Sequence, residues 1–388
     1  MLTLHYNGDI VDIYYMRGAH MLDLRYDRVK IIRGDDAIKD NYDSISGIGR
    51  KAFLVTGKNS AVRSGARDEI TEALEKLGIP FVIFDKVTEN PKSLTCFDAG
   101  KICRENCCDF VIGIGGGSVI DASKAIACYA LHEDFKNDTD IFECDGKCLP
   151  IVAVVTTSGT GSEANRYSVL TVGDNRKISF KSEYSYPILS FVCPKFTVTM
   201  NDEQTVSTAL DAFAHSIESF LSPKSDEISE NAALYSGREI WNVLLKSPRD
   251  PSGLSLEDRE KLSYAADYAG IAIDITGTGF PHPLGYGLTI DYGIPHGKAC
   301  AVFEKDFIKY NMRTEKGREK IERFSEYIGA SPEEIMNKTY ELSGINMKLT
   351  DDIIANIISR VEKASNFANS PYVLNKKEMF DIYKELFE

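Results

Sequence analysis

Through the first half of the chain, short apolar runs alternate with amphipathic stretches. Residues 52–56, 81–84, 109–114 and 151–155 read as buried strands, each rich in β-branched or aromatic side chains. Between them, residues 63–76, 90–106 and 119–130 repeat apolar positions at helical spacing. Gly78 ends the first of these helices and Asn90-Pro91 opens the second. Strands alternating with helices at this pitch predict a parallel α/β sheet. After about Tyr186 the strand pattern fades, and residues 203–221, 226–246, 256–276, 315–328, 331–343, 350–366 and 376–387 all show helical periodicity. The expected division is an α/β domain over 21–185 and an all-α domain over 186–388, packed directly because no low-complexity linker separates them. Residues 1–20 fall outside this pattern. They read as an extension, or as the scar of a cloning vector ending at Gly18-Ala19-His20-Met21.

Composition narrows the function classes. With 388 residues, two cores are affordable, and a net charge of −13 argues against a nucleic-acid surface, which needs a basic stripe. No run approaches the ~20 apolar residues of a membrane span, and the first twenty residues do not read as a secretory signal. Nine cysteines without a repeated C-x2-C pair read as reduced thiols, so a cytoplasmic location is expected.

Two loops at predicted strand ends carry candidate chemistry. Gly115-Gly116-Gly117-Ser118 follows a strand and precedes a helix, so its backbone can approach a pyrophosphate and the helix amides can face it. Its spacing is not G-x-G-x-x-G, and a bare turn is the competing reading. The second loop, Thr156 to Glu163, offers five hydroxyls and two glycines in eight residues, more than a structural loop usually needs. As a pair they point to a Rossmann-like nucleotide site outside the carboxyl ends of the strands.

A second constellation lies in the helical half. Asp211 and His215 stand at i, i+4 on one face of a predicted helix, and His282 and His296 follow in a glycine-rich segment. Only six histidines exist, and three of them fall here. Any one alone reads as a surface or capping residue. Together, one carboxylate and three imidazoles suit a divalent transition metal.

The stretches GGGSVID, TTSGTGSE, DAFAHSIE and HPLGYGLTIDYGIPHG, in this order and at these separations, resemble the iron-containing (group III) alcohol dehydrogenases from about Met21 onward. Within that family the chain looks similar to an NADP-preferring subset that includes butanol and 1,3-propanediol dehydrogenases. The resemblance implies a dehydroquinate synthase-like architecture, with Asp211, His215, His282 and His296 as ligands to one divalent ion, Fe2+ or Zn2+. It places Gly115, Gly116, Gly117, Ser118 and Asp121 in the diphosphate-binding turn, and Thr156, Thr157, Thr160 and Ser162 along the rest of the dinucleotide. Tyr167 and Lys177 occupy positions that neighbour the cofactor in relatives. The implied reaction is hydride transfer between a small primary alcohol or aldehyde and a nicotinamide cofactor, in a homodimer or larger homo-oligomer with no nucleic-acid or membrane partner.

This sequence departs from the family pattern in two places. Tyr286 stands where many members have a further histidine near the nicotinamide, which removes any proton-relay role for that residue. Arg166 replaces a residue commonly apolar or proline, and either meets an anionic substrate or pairs with a nearby carboxylate. After the first strand, Gly57-Lys58-Asn59-Ser60 lacks the acidic residue that would bind both ribose hydroxyls and repel a 2′-phosphate, so NADP(H) is expected over NAD(H). Cys300, four residues past His296, reads as core packing rather than a nucleophile. Two other readings stay open: a lyase of the dehydroquinate synthase type, which needs a strongly basic pocket, and a non-catalytic metal- or nucleotide-binding protein.

Overall fold

A computed structural model of the chain describes residues 2–6, 9–13, 15–16, 19–20, 26–173, 176–245 and 251–388. In the leading segment, Leu2–Tyr6 pairs antiparallel with Asp9–Ile13. Gly18 and Met21 of the suspected scar lie outside the described residues.

Six parallel strands form one sheet in the order Lys30–Arg33, Leu189–Val192, Ile151–Val155, Phe110–Gly115, Ala52–Gly57, Phe81–Val87. The three central strands are almost wholly buried, which explains why they read as continuous apolar runs rather than alternating ones. Side chains of Leu54, Ile112 and Val152 meet helix Ala66–Lys76 on one face. Phe53, Val55 and Val111 meet helices Ser93–Glu105 and Gly117–Leu131 on the other.

The predicted division at 185 comes too early. Leu189–Val192 is a buried strand paired on both sides within the sheet, so the α/β part runs past that point. The edge strand Lys30–Arg33 and the antiparallel hairpin Tyr167–Val172 with Arg176–Lys181 also went unpredicted. Lys30–Arg33 and Arg176–Lys181 carry lysine and arginine, which masks the apolar signal, whereas Tyr167–Val172 is uncharged and alternates in burial. The helical expectation holds well: Asp202–Leu221, Glu227–Ile240, Leu256–Thr276, Glu315–Ile328, Pro332–Ser343, Asp351–Val361 and Lys376–Phe387 surround one core that includes Phe213, Phe280, Phe324 and Tyr383. No described helix is long and apolar enough to cross a membrane.

Chain order in the sheet reverses between Ala52–Gly57 and Phe110–Gly115. From Ala52–Gly57 the chain steps outward to Phe81–Val87, then returns to the other side of its starting strand. Helices leaving the two strands go to opposite faces, which opens a crevice at their carboxyl ends. Gly57 and Gly115 stand at its two lips.

Candidate metal centre and nucleotide cleft

Helix Asp202–Leu221 starts under a cap in which the Asn201 side chain accepts from the Gln204 amide, and it carries Asp211 and His215 one turn apart. His282 sits in the first turn of helix Pro281–Tyr292, and His296 opens helix His296–Ala301. Two glycines let these helices meet. A methyl group on Gly285 would overlap the Ala299 backbone, and one on Gly297 would overlap the Ser207 carbonyl one turn before Asp211. The glycines of the HPLGYGLTIDYGIPHG stretch are therefore what allow His296 to face Asp211.

Asp211 Oδ1 lies 3.9 Å from His215 Nε2, 3.7 Å from His282 Nε2 and 3.9 Å from His296 Nε2. All four predicted ligands thus converge on one carboxylate oxygen. These separations are too long for hydrogen bonds, and both Asp211 Oδ1 and His282 Nε2 are buried without a partner. Such orphaned atoms cost free energy unless something sits between them. A divalent cation is the group whose chemistry matches this donor set. The centre opens on one side only: the His296 side chain is 29% exposed, against 4% for His282 and 5% for Asp211.

Cys300 is fully buried, as the core-packing reading expects, and it packs against the site: its Sγ lies 3.8 Å from His296 Nδ1, and its donor atom stands within 4.8 Å of those of Asp211, His282 and His296. His215 is set to one side of that tightest group, its ring stacked on His282 at a centroid distance of 4.8 Å.

Glu218 was missed. Its oxygens lie 2.8 and 2.9 Å from His282 Nδ1, and it also accepts from the Gly279 amide. A carboxylate there fixes the hydrogen on Nδ1 and turns the Nε2 lone pair toward Asp211. The signal was present, since Glu218 follows His215 by three positions on the same helix face. Burial works against every charge in this cluster. Against it, His215, His282 and His296 hold the Asp211 carboxyl well below its usual range. His282 is also buried, but Glu218 and Asp211 outweigh burial and raise its imidazole to about 9. Burial brings His215 down to about 4 and holds His296 well below its usual range, with Lys177 adding to the effect on His296.

The second loop rests on the helix that bears the ligands. Gly159 packs against Thr208, and Gly161, at φ +60°, crosses Gly270 of helix Leu256–Thr276 so closely that neither can carry a side chain. Ser158 and Ser263 hydroxyls lie 2.9 Å apart across the same contact. The two loops also touch each other, Gly116 against Thr157 and Gly117 against Thr160. Helix Gly117–Leu131 starts without a side-chain cap, so its first amides face the crevice unclaimed by any side chain.

Several of the predicted cofactor residues have partners within the protein. The Asp121 carboxylate accepts from Ser162 Oγ at 2.5 Å and from the Val169 amide at 2.9 Å, a turn beyond the loop. The Ser162 hydroxyl is spent on Asp121 and on Lys124, whose buried ammonium also reaches the Ser162, Asn165 and Tyr167 oxygens. These bonds position the loop. Lys124 itself was not foreseen, because a lysine on a helix usually reads as surface. Thr157 and Thr160 remain half-exposed, whereas the Thr156 hydroxyl is buried without a partner. Lys177 lies on the hairpin with its Nζ 5.3 Å from the centre of the Tyr286 ring, and Tyr286 stacks on His296 at 5.9 Å. Tyr167 stands at the base of the same hairpin. Arg166 is held by ion pairs to Glu183 and, at 3.7 Å, to Asp274, which is the carboxylate-paired alternative.

Comparison with known proteins agrees with this geometry. The sequence pattern of iron-containing alcohol dehydrogenases matches residues 29–194, and that of the Fe-containing alcohol dehydrogenase family C-terminal domain matches residues 205–387. The chain belongs to the iron-containing alcohol dehydrogenase family. It is therefore an oxidoreductase of the iron-type alcohol dehydrogenases. It is 33% identical over 285 residues to 1,3-propanediol dehydrogenase of Citrobacter freundii, covering 72% of each chain. An NADPH-dependent butanol dehydrogenase of Clostridium saccharobutylicum is 29% identical over 329 residues, covering 81% of this chain and 78% of that one. The crystal structure of an iron-containing alcohol dehydrogenase from Thermotoga maritima superposes with a TM-score of 0.86 at 30% identity, covering 93% of this chain and 98% of the other.

Proposed function

We propose that this iron-type alcohol dehydrogenase is an NADP(H)-preferring enzyme that interconverts small primary alcohols and aldehydes in the cytoplasm, as a homodimer or larger assembly. The observation that carries the reading is the meeting of the Thr156–Ser162 loop with the helix that bears Asp211 and His215. Asp211, His215, His282 and His296 would hold the divalent ion, Fe2+ or Zn2+. When bound, such an ion supplies a Lewis acid beside the substrate oxygen.

The chain's own groups do the rest by position. Glu218 orients His282. Gly115, Gly116 and Gly117 let the diphosphate approach the backbone, while Ser118, Thr157 and Thr160 face the cofactor. Asp121, Lys124 and Ser162 hold that loop in place. Hydride transfer needs the carbinol carbon and the nicotinamide fixed at contact distance, and it needs no side-chain nucleophile. Lys177 and Tyr286 would wall the substrate side. A lyase reading requires free cations for an anion-rich substrate, but Arg166 and Lys124 are already committed to internal partners.

Cofactor choice rests on Gly57, Lys58, Asn59 and Ser60 at the lip of the crevice. Lys58, Asn59 and Ser60 are exposed there, and no carboxylate stands at position 57 to repel a 2′-phosphate. NADPH is expected to exceed NADH by at least ~10-fold in kcat/KM, about 1.4 kcal/mol of transition-state binding. Gly57→Asp tests this without threatening the fold, because a Cβ there meets Val87 O at an ordinary 3.4 Å. It should shift preference toward NADH. Equal use of both cofactors by the unmodified enzyme would refute the reading of this turn.

A further inference from the structure

A second group of donors lies where helix Gly117–Leu131 hands over to strand Ile151–Val155. Cys128, fully buried in the last turn of the helix, and His132, one turn on, share a face. Cys144 and Cys148 come back from the connecting loop. Cys128 Sγ lies 3.8 Å from Cys144 Sγ, and the donors of Cys128, His132 and Cys144 all stand within 4.8 Å of one another. The Cys148 thiol, on the same turn, donates to the Gly146 carbonyl at 3.3 Å. A disulfide would need about 2.05 Å between sulfurs. Two Zn–S bonds of about 2.3 Å at the tetrahedral angle separate their sulfurs by about 3.8 Å.

An independent observation concerns the turn. The Gly146 amide donates to Cys144 Sγ at 3.2 Å, an arrangement that favours thiolate over thiol. It depends on glycine: Gly146 has φ +73°, and a Cβ there would meet Ser182 Oγ. His132 is steadied by stacking on Phe135 at 4.6 Å and by Lys147 O at 3.2 Å from Nε2. Cys148 also lines a surface cavity of about 440 Å³ with Leu149, Pro150 and Tyr184, which gives an ion a way in.

We infer that Cys128, His132, Cys144 and Cys148 form a structural site for a soft divalent cation of the Zn2+ class, separate from the catalytic centre. The spacing, C-x3-H followed by C-x3-C, escaped a search for C-x2-C repeats. Between Leu131 and Ile151 the only regular element is the short turn Asp140–Phe142, so a bound ion would staple a long connection to the helix whose first turn forms the diphosphate loop. Metal binding to thiols displaces their protons, so occupancy of the site is expected to depend on pH.

Cobalt substitution of the whole enzyme tests the site. Thiolate-bound Co2+ gives an intense near-ultraviolet charge-transfer band. The band should vanish in Cys144→Ser and Cys148→Ser and persist in Cys300→Ala, and each serine variant should bind one equivalent of Zn2+ less than the parent. If the serine variants do not fold, mercurial titration of Cys300→Ala serves instead and should release one equivalent of Zn2+ to a colorimetric indicator. A band that disappears with Cys300, no band in the parent, no Zn2+ released by the mercurial, or a Cys128–Cys144 disulfide in the purified enzyme would each overturn the inference.

Discussion

Replacing Glu218 by glutamine removes one charge from behind His282 while keeping the side-chain shape. Both Glu218 oxygens face His282 Nδ1 at 2.8 and 2.9 Å in a fully buried setting, so the carboxylate alone decides which ring nitrogen carries hydrogen and how strongly the other donates. Partners of this kind typically contribute 10–100-fold in metal affinity or activity, or about 1.4–2.7 kcal/mol. The fold should not suffer in proportion. Glu304 is buried beside Glu218, and burial and that neighbouring charge hold its carboxyl well above the usual range, so it stays protonated and carries no charge that depends on the one at position 218. Metal affinity of Glu218→Gln, measured by competition with a chromophoric chelator, should therefore fall ~10–100-fold while the melting temperature stays within a few degrees. A folded variant with affinity within about twofold of the parent would refute the role given to Glu218.

Two further expectations follow from packing and charge. Gly270→Ala should destabilise the protein by about 1–3 kcal/mol in urea denaturation and raise KM for the nicotinamide cofactor, because the added methyl would strike the Gly161 carbonyl and push the second loop off its helix; unchanged stability would show that this contact yields. Asp306 is buried with one oxygen unpaired, and its carboxyl is raised to about 6, by burial first and by Glu385 second. The folded state then holds a proton the unfolded state loses, so stability falls as pH rises from about 4 to about 6. Asp306→Asn should remove that fall and gain on the order of 1–3 kcal/mol above pH 6. Parallel stability-versus-pH curves for the two proteins would contradict it.

What the sequence revealed and what it hid follow from the range of the interactions. Long periodic helices such as Asp202–Leu221 and Leu256–Thr276, and runs such as Ile151–Val155, declare themselves locally. Helices Pro281–Tyr292 and His296–Ala301 do not, because the glycines and prolines that suit them to tight packing also erase helical propensity. The three histidines stood out because histidine is rare in this chain, and Asp211 because it stands at i, i+4 to one of them. Lys124 did not, since a Lys on a helix reads as solvent-facing until the fold buries it, and Glu218 was passed over although it shares a helix face with His215. For Asp121 and Ser162 the motif was legible, but the hydrogen bonds that join them to each other and to Val169 were not, because they link sequence-distant segments.

The central claim is that the Asp211, His215, His282 and His296 cluster and the two loops form one hydride-transfer site. Its most direct test follows the NAD(P)H absorbance band with purified, metal-reconstituted enzyme against a panel of small aldehydes, beside folded His282→Ala. Steady loss of the band with NADPH and a short aldehyde, lost in His282→Ala together with its metal, is the predicted result. Enzyme loaded with metal that turns over no aldehyde or alcohol with either cofactor, or a metal-free His282→Ala that remains fully active, would contradict it.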